Sequence, residues 1–573
     1  MTRATLLLGA CLLCLSAPAG VADATTDAAT ENLLNNPQVC GPAGDDPVAG
    51  APVADMVMVE GFGTGGFPVD TASPEAQAWF DHGVRLRWAF EHTESVRAFQ
   101  KARLLDPDCG MCAWGEAWAM GPNLNGGGSG DTVAKSALGI AREARRLARD
   151  ATPIQKMMID ALIQRYSGRA DRRAARFSRA MERIAARAPD DVAVANITAD
   201  SLLLVDYDWW TEDGKPKNAY VPRAMALLEH ALAVRPDDPG AIHLYIHLTE
   251  WSDDPHKAIP YGERLAALAP GASHLVHMPS HTFYRVGRYR DAMMSNVNAV
   301  ALDRRYNALA RPPGGVSAMP LHGHNIHFGM GGALMAGGAE QGIALADWFL
   351  ETYPALLAVP SRDEGSRLVW RQYQAFNAYA LYGRYAEQDR VAGLPEPDAG
   401  RPLMRVGWRY ALGEAAARRG DHRAVSEQAE AIAAIRGSGG FSGRQGEDMN
   451  EFAELAQRVL EGRAAMLAGD AAAAVIAFSQ AAELQGKSPE GGDPPVVWYP
   501  TRRSLAAALL ASGDASSARS KILELLEDWP NDPYSYFVLS EAESALGDPT
   551  ASEAAASRAA AEWLGGAMSL PLA

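Results

Sequence analysis

Nine of the 13 histidines in this 573-residue chain fall between His243 and His327. Their spacing is regular. His243 and His277 stand 34 residues apart, and so do His247 and His281. A 34-residue period is that of one helical hairpin in a repeat array, so equivalent residues of successive hairpins lie side by side. Within each hairpin the polar residues keep helical register. His243, His247 and Glu250 fall at i, i+4 and i+7, and His274, His277 and His281 at i, i+3 and i+7, so each set shares one face. His324 and His327 precede Gly337 by the same intervals as His274 and His277 precede Gly287, which places a third imidazole-bearing helix beside the second.

Imidazoles and one carboxylate on adjacent helices are the donors that zinc, copper and iron accept. Packed helix axes lie about 8–10 Å apart, and a histidine reaches about 6 Å from Cβ to a bound ion. Ligands from two or three helices can therefore meet on one cation. The candidate metal ligands are His243, His247, His277, His281, His324 and His327. Glu250, joined by His247 and by His277 or His281, would complete a two-histidine, one-carboxylate set with open positions. Glu250 and Tyr284 are the candidate catalytic groups, Tyr284 as acid or hydrogen-bond donor on the face of His281. Ser280 and Asn325 could orient an imidazole or a substrate. No HExxH occurs, so the zincin arrangement is absent. Two other readings of the cluster stay open: a metal-free polar groove for an anionic or peptide ligand, and structural hydrogen bonding. His82, His92, His230, His256 and His422 read as packing or surface residues.

The rest of the chain must position these groups. Apolar residues make up 48% and charged residues 21%, enough for an extended core, and the net charge of −16 disfavours nucleic acid as a partner. Residues 1–24 read as a secretory signal, with Arg3, an apolar run from Leu6 to Leu15 and small Ala22 and Ala24. A lipobox-like Leu8-Gly9-Ala10-Cys11 comes too early for the apolar run it needs. No other long uncharged apolar run appears, so the mature chain is expected to be soluble, off the membrane, and periplasmic or secreted. Cys11 and Cys14 leave with the signal, and two of Cys40, Cys109 and Cys112 are expected to pair. Residues 25–70 read as disordered or extended. Their Gly61–Pro68 run, GFGTGGFP, lets a segment lie close over a helical body, and no lysine follows to make it a phosphate loop.

From Ser73, an N-cap before Pro74, the pattern becomes helix pairs. Gly83 marks a close approach, and a helix is expected over residues 195–210. Trp114 and Trp118 read either as core or as an apolar groove wall. The insertion around Arg311–Ser317 is expected at the groove mouth, where it could act as a lid. Gly513 and Gly547 again differ by 34. The sequence divides into an array over 71–350 and a second over 351–573.

The stretches FDHGVRLRWAFEHTESVRAF, DPDCGMCAWGEAWAMGPNLN, YIHLTE, HLVHMPSHTFYRVGRY and HNIHF carry a resemblance to exported bacterial tetratricopeptide (TPR) repeat proteins, over about residues 71–304 and on to 346. The resemblance implies an all-α solenoid of helical hairpins in a right-handed superhelix, and export. It also implies that the first helix of each hairpin lines a concave groove, where a small molecule or peptide would bind. It carries over no activity. The chemistry, a metal-dependent hydrolysis or oxidation against a non-catalytic scaffold or metal store, rests on the histidines.

Overall fold

Aspartates and serines placed just before Pro or Ala start the helices. Ser73 accepts from the Ala76 amide at 3.2 Å, and Asp238 accepts from Ala241 at 2.9 Å with Pro239 in the first turn. Thr152 and Gln155 close a reciprocal capping box. The computed structural model describes residues 50–124, 130–360, 366–441, 443–487 and 494–573, and among them the regular elements are all helices, with an isolated bridge between Trp210 and Pro216. The signal sequence and Cys40 lie outside the described residues. No described helix is long and apolar enough to cross a membrane.

Each helix packs against the next, and every second helix packs on its next-but-one neighbour. Pro74–Trp88 thus rests on Gly110–Ala119, and that helix on Pro153–Tyr166. Pro402–Arg418 and Gly443–Ala468 repeat the relation far along the chain. This is the expected helical-hairpin solenoid of TPR type. Gly83 sits where a Cβ would come within 2.9 Å of the Phe99 ring, the expected close approach. Trp114 and Trp118 stack at 14° inside the core, so they are packing residues and not a groove wall. The helix expected over 195–210 instead spans Val192–Leu203, and Leu204–Trp210 turns away from it. Cys109 and Cys112 form a disulfide at the start of Gly110–Ala119.

Long-range contacts then close the array on itself. Pro239–Thr249 packs against Pro74–Trp88. At the other end Asn531 donates to the Val286 carbonyl at 3.1 Å, and the Leu564 amide donates to Ala336 at 2.8 Å. The extended segment before Ser73 is a strap over the first array. Gly61 and Gly63 adopt φ of +90° and +74°, and a Cβ on Gly63 would lie 2.9 Å from Pro239. The Phe62 ring packs edge-on between His82 and Tyr306.

The insertion differs from expectation. Tyr289–Ala310 is one long helix, and the loop that follows, with a short helix over Gly315–Ala318, packs on the strap. The Ala51 amide donates to Arg311 at 3.0 Å. Its prolines meet the chain at Gly50 and do not reach the mouth of the site.

Candidate metal centre

Three helices carry the cluster. Pro239–Thr249 holds His243 and His247 and ends at Glu250. The second stripe breaks at Pro279, giving Ser273–His277 and then Pro279–Arg285, because proline lacks the amide that would continue the ladder. His322–Ala336 carries His322, His324 and His327.

Among the described residues, three sets have ligand atoms all within 4.8 Å of one another. They are His243, His247 and His274; His277, His281 and His324; and His247, Glu250 and His281. Five of the six expected ligands come together, and Glu250 comes with them. His327 does not join a set: its Nε2 meets Asn377 Nδ2 at 3.1 Å. The glycine alignment put His327 opposite His277, but the helix turns it toward the second array. His274 takes part instead.

The hydrogen bonds show which ring nitrogens point at acceptors. His243 Nδ1 donates to the Trp88 carbonyl at 2.5 Å, an acceptor only. His281 Nδ1 donates to Glu250 Oε2 at 2.5 Å. His277 Nδ1 donates to Asn296 Oδ1 at 2.6 Å, and Asn296 is held that way round because its Nδ2 donates to the Ala292 carbonyl at 2.7 Å. Ser280 Oγ lies 3.3 Å from the same His277 nitrogen. His277 Nε2 and His281 Nε2 then face each other at 2.8 Å, and His243 Nε2 faces His274 Nε2 at 3.2 Å. Imidazole nitrogens at such distances share a proton or face a common cation. Nitrogens bound at 2.0–2.1 Å to a common ion stand roughly 2.8–3.4 Å apart for ligand angles between square and tetrahedral. The donor set fits a transition metal, down to the carbonyl, amide and carboxylate that hold the far nitrogens.

Burial completes the picture. His243, His274 and His277 are fully buried, so the cluster is enclosed rather than spread along an open groove. Burial, then the neighbouring His247, holds the His243 imidazole well below its usual range; burial and His243 do the same to His274. Both imidazoles are thus neutral at physiological pH. Burial works to raise the Glu250 carboxyl, but His281 and His247 outweigh it and keep the group ionised. His247 Nε2 and His274 Nδ1 are buried without a hydrogen-bond partner. Asn325 serves a different network, donating to Asp303 at 3.3 Å beside His322.

Residues with no sequence signature frame the rings. Phe90 takes a left-handed conformation, φ +55°, uncommon without a glycine or asparagine. Its ring stacks on His247 and His274 at 16° and 20°, and approaches His243 to 4.3 Å. Phe328 plays the same part for His277, His281 and His324. Neither follows from spacing, since Phe90 reaches the cluster only through the fold-back of Pro239–Thr249 onto Pro74–Trp88.

Glu250 and Tyr284 both line a cavity of about 600 Å³. Its near wall includes Trp251 and Arg285, whose guanidinium lies 3.4 Å from the Trp251 ring centre. Its far wall comes from the second array: Gln485, Val496, Arg502 and Trp529. Such a volume suits a small-molecule pocket.

No family model and no curated protein matches the chain. Three solved structures that align to it do so at 11–12% identity. The human IFIT1 dimer with m7Gppp-AAAA covers 86% of this chain and 91% of its own at TM-score 0.27. The P58(IPK) TPR domain covers 83% and 99% at 0.21. The APC/C hetero-tetramer Cut9-Hcn1 covers 82% and 90% at 0.23. At these scores the likenesses carry no argument about ligand or function, which must come from the chain's own residues.

Proposed function

We propose that this chain is an exported metal-dependent enzyme, hydrolytic or oxidative, whose histidine cluster holds zinc, copper or iron beside a small-molecule chamber. The observation that carries the reading is the convergence of ligand atoms within 4.8 Å of one another in three overlapping groups, His243, His247 and His274, then His277, His281 and His324, with His247, Glu250 and His281 between them. The metal would supply Lewis acidity or electron transfer. The protein's own groups do the rest. Glu250, ionised and on the chamber wall, accepts a proton. Tyr284, on the same wall, donates one or holds the substrate. Trp251 and Trp529 offer flat apolar faces, and Arg285 and Arg502 stand among Glu212, Glu527 and Asp528, the last paired with Arg502, so the chamber suits a small molecule or a short peptide end of mixed polarity. The acidic chain gives nucleic acid no basic face. Export is supported by the N-terminal sequence and by the disulfide.

Metal analysis of the full chain, purified with its own leader processed and reconstituted, tests this. Near-stoichiometric transition metal is expected, lost in His281→Ala. Protein that takes up none would end the reading. A second reading, a scaffold or metal store, draws on the helical-hairpin fold. Bound metal with no substrate turnover and no effect of Tyr284→Phe on any ligand would favour it.

A further inference from the structure

We infer that the chamber takes a small organic cation, an ammonium group on an apolar body, with Glu212 and Glu527 holding the charge at the mouth and the body reaching inward to Glu250 and Tyr284. The inference rests on the reading of this chamber as the substrate pocket and names the class of molecule that fits it. Four carboxylates line the space, Glu212, Glu250, Glu527 and Asp528, against two guanidiniums, Arg285 and Arg502. Most of these charges are already matched. Asp528 pairs with Arg502, the Arg285 guanidinium lies over the Trp251 ring, and Glu250 stands between His281 and His247. Glu212 and Glu527 are exposed, and among the described residues neither makes an ion pair or a hydrogen bond.

The backbone adds charge of the same sign. Pro239–Thr249, Ala471–Lys487 and Ala515–Asp528 all end at the chamber wall, with Glu250, Gly486 and Asp528 among the lining residues. The carbonyl end of a helix carries partial negative charge and favours a cation. Glu527 and Asp528, in the last turn of their helix, therefore stand where the fold alone would favour a basic residue. Two helices begin at the wall, at Tyr289 and Arg502, and Asp528 answers the arginine. Glu212 sits on a turn closed by the Thr211 amide, which donates to the Lys215 carbonyl at 2.9 Å. That turn is docked beyond the end of Pro239–Thr249, where the Asp253 amide donates to Gly214 at 3.1 Å and Trp210 Nε1 donates to the Leu248 carbonyl at 3.0 Å. One unmatched carboxylate thus comes from each array. Deeper in, Tyr289 is 2% exposed, and its hydroxyl makes no hydrogen bond among the described residues. It leaves a buried polar atom on the wall for a ligand. Trp529, Val496 and Val497 give the apolar surface that a hydrocarbon body needs. An ammonium group is attracted both by carboxylates and by aromatic faces, and an anionic ligand by neither. The net charge of −16 draws cations toward the mouth as well.

Isothermal titration calorimetry on the full chain tests this with phenylbutylamine, phenylbutanol and phenylbutyrate, which share a body and differ in charge. The amine should bind about tenfold tighter than the alcohol, and the acid weaker still. Glu212→Gln and Glu527→Gln, both at exposed positions, should each weaken the amine about 2–5-fold and leave the alcohol unchanged. Added salt should erode the advantage of the amine. A free amine and the first residue of a peptide offer the same chemistry, and a phenylalanyl dipeptide amide titrated alongside tells by its affinity which source fits better. The alcohol or the acid binding as tightly as the amine overturns the cation reading, and so does a lack of saturable binding by both amine probes. Glutamine variants that weaken the alcohol as much as the amine overturn the part given to the two glutamates. Metal content measured on the same samples keeps the two readings apart. Amine preference in a chain that takes up no metal ends the metal reading alone, and a metal-loaded chain without that preference ends only this one.

Discussion

The two arrays each bury a polar centre on a first helix, and the two are built on opposite principles. In the second array Glu414 is ringed by partners. Arg463 donates to it, Arg384 stands at 3.6 Å, and the Tyr410 hydroxyl donates at 2.8 Å. Arg463 in turn donates to the Pro571 carbonyl at 2.9 Å. Charge meets charge there, and the centre holds the frame together. In the first array six imidazoles and one carboxylate converge, nitrogen facing nitrogen. On the proposed reading, the difference separates a strut from a binding site.

The largest expected effect falls on the strut. Arg463→Ala strips Glu414 of its nearest cation in the core, leaving Arg384 at 3.6 Å and the Tyr410 hydroxyl, and should cost about 3–5 kcal/mol. Thermal or denaturant melting would read it, with metal content per folded chain unchanged. Loss of metal without loss of stability would erase the distinction. The same pair predicts an acid limb. Burial tends to raise the Glu414 carboxyl, but Arg463 and Arg384 pull it below its ordinary value. Its contribution is therefore present above the unfolded carboxylate range and is lost as pH falls through the lowered native value. Arg463→Ala should flatten that limb.

The next effect sharpens the other side. Asn296→Ala removes the acceptor that turns His277, and should weaken metal binding about 10–100-fold. A competition titration against a chelator measures it. Melting of the metal-free protein should move far less than for Arg463→Ala. A smaller loss, about 1–2 kcal/mol, is expected for Gly63→Ala, whose positive φ and tight contact with Pro239 disfavour a side chain. Melting of that variant would show whether the strap braces the cluster's first helix.

The smallest effect has the opposite pH sign to Glu414. Burial, with Asp303 and Glu94 nearby, pushes the Glu91 carboxyl well above its usual value. A raised carboxyl favours the fold below its unfolded value and loses that advantage as pH rises through the native one. Glu91→Gln should therefore stabilise by about 1 kcal/mol at neutral pH, with the gain vanishing on acidification. A constant gain at every pH would show that charge is not the cause.

Much of this was legible in the order of residues. The 34-residue interval and the i, i+4, i+7 register place His243, His247, His277 and His281 together, because helix geometry and repeat stacking are both local rules. Ser73 and Gly287 mark boundaries for the same reason. His327 and His274 exchanged places because a glycine alignment fixes position along a helix but not the few tens of degrees that choose its neighbour. Phe90, Asn296 and the chamber were out of reach. They depend on contacts between residues more than a hundred apart or on a side chain from a second helix, and no periodicity encodes those. The loop after Ala310 looked like a lid by its prolines, yet its partner, the strap at Gly50 and Ala51, is chosen by tertiary contact.

The tie between Asn531 and Val286 has one more consequence. Ten of the chamber's 18 lining residues lie 158 to 205 residues beyond His324, the last imidazole of the cluster. If the cluster holds a metal as proposed, the chain order lets a cation be captured before the hairpins that wall the chamber have formed.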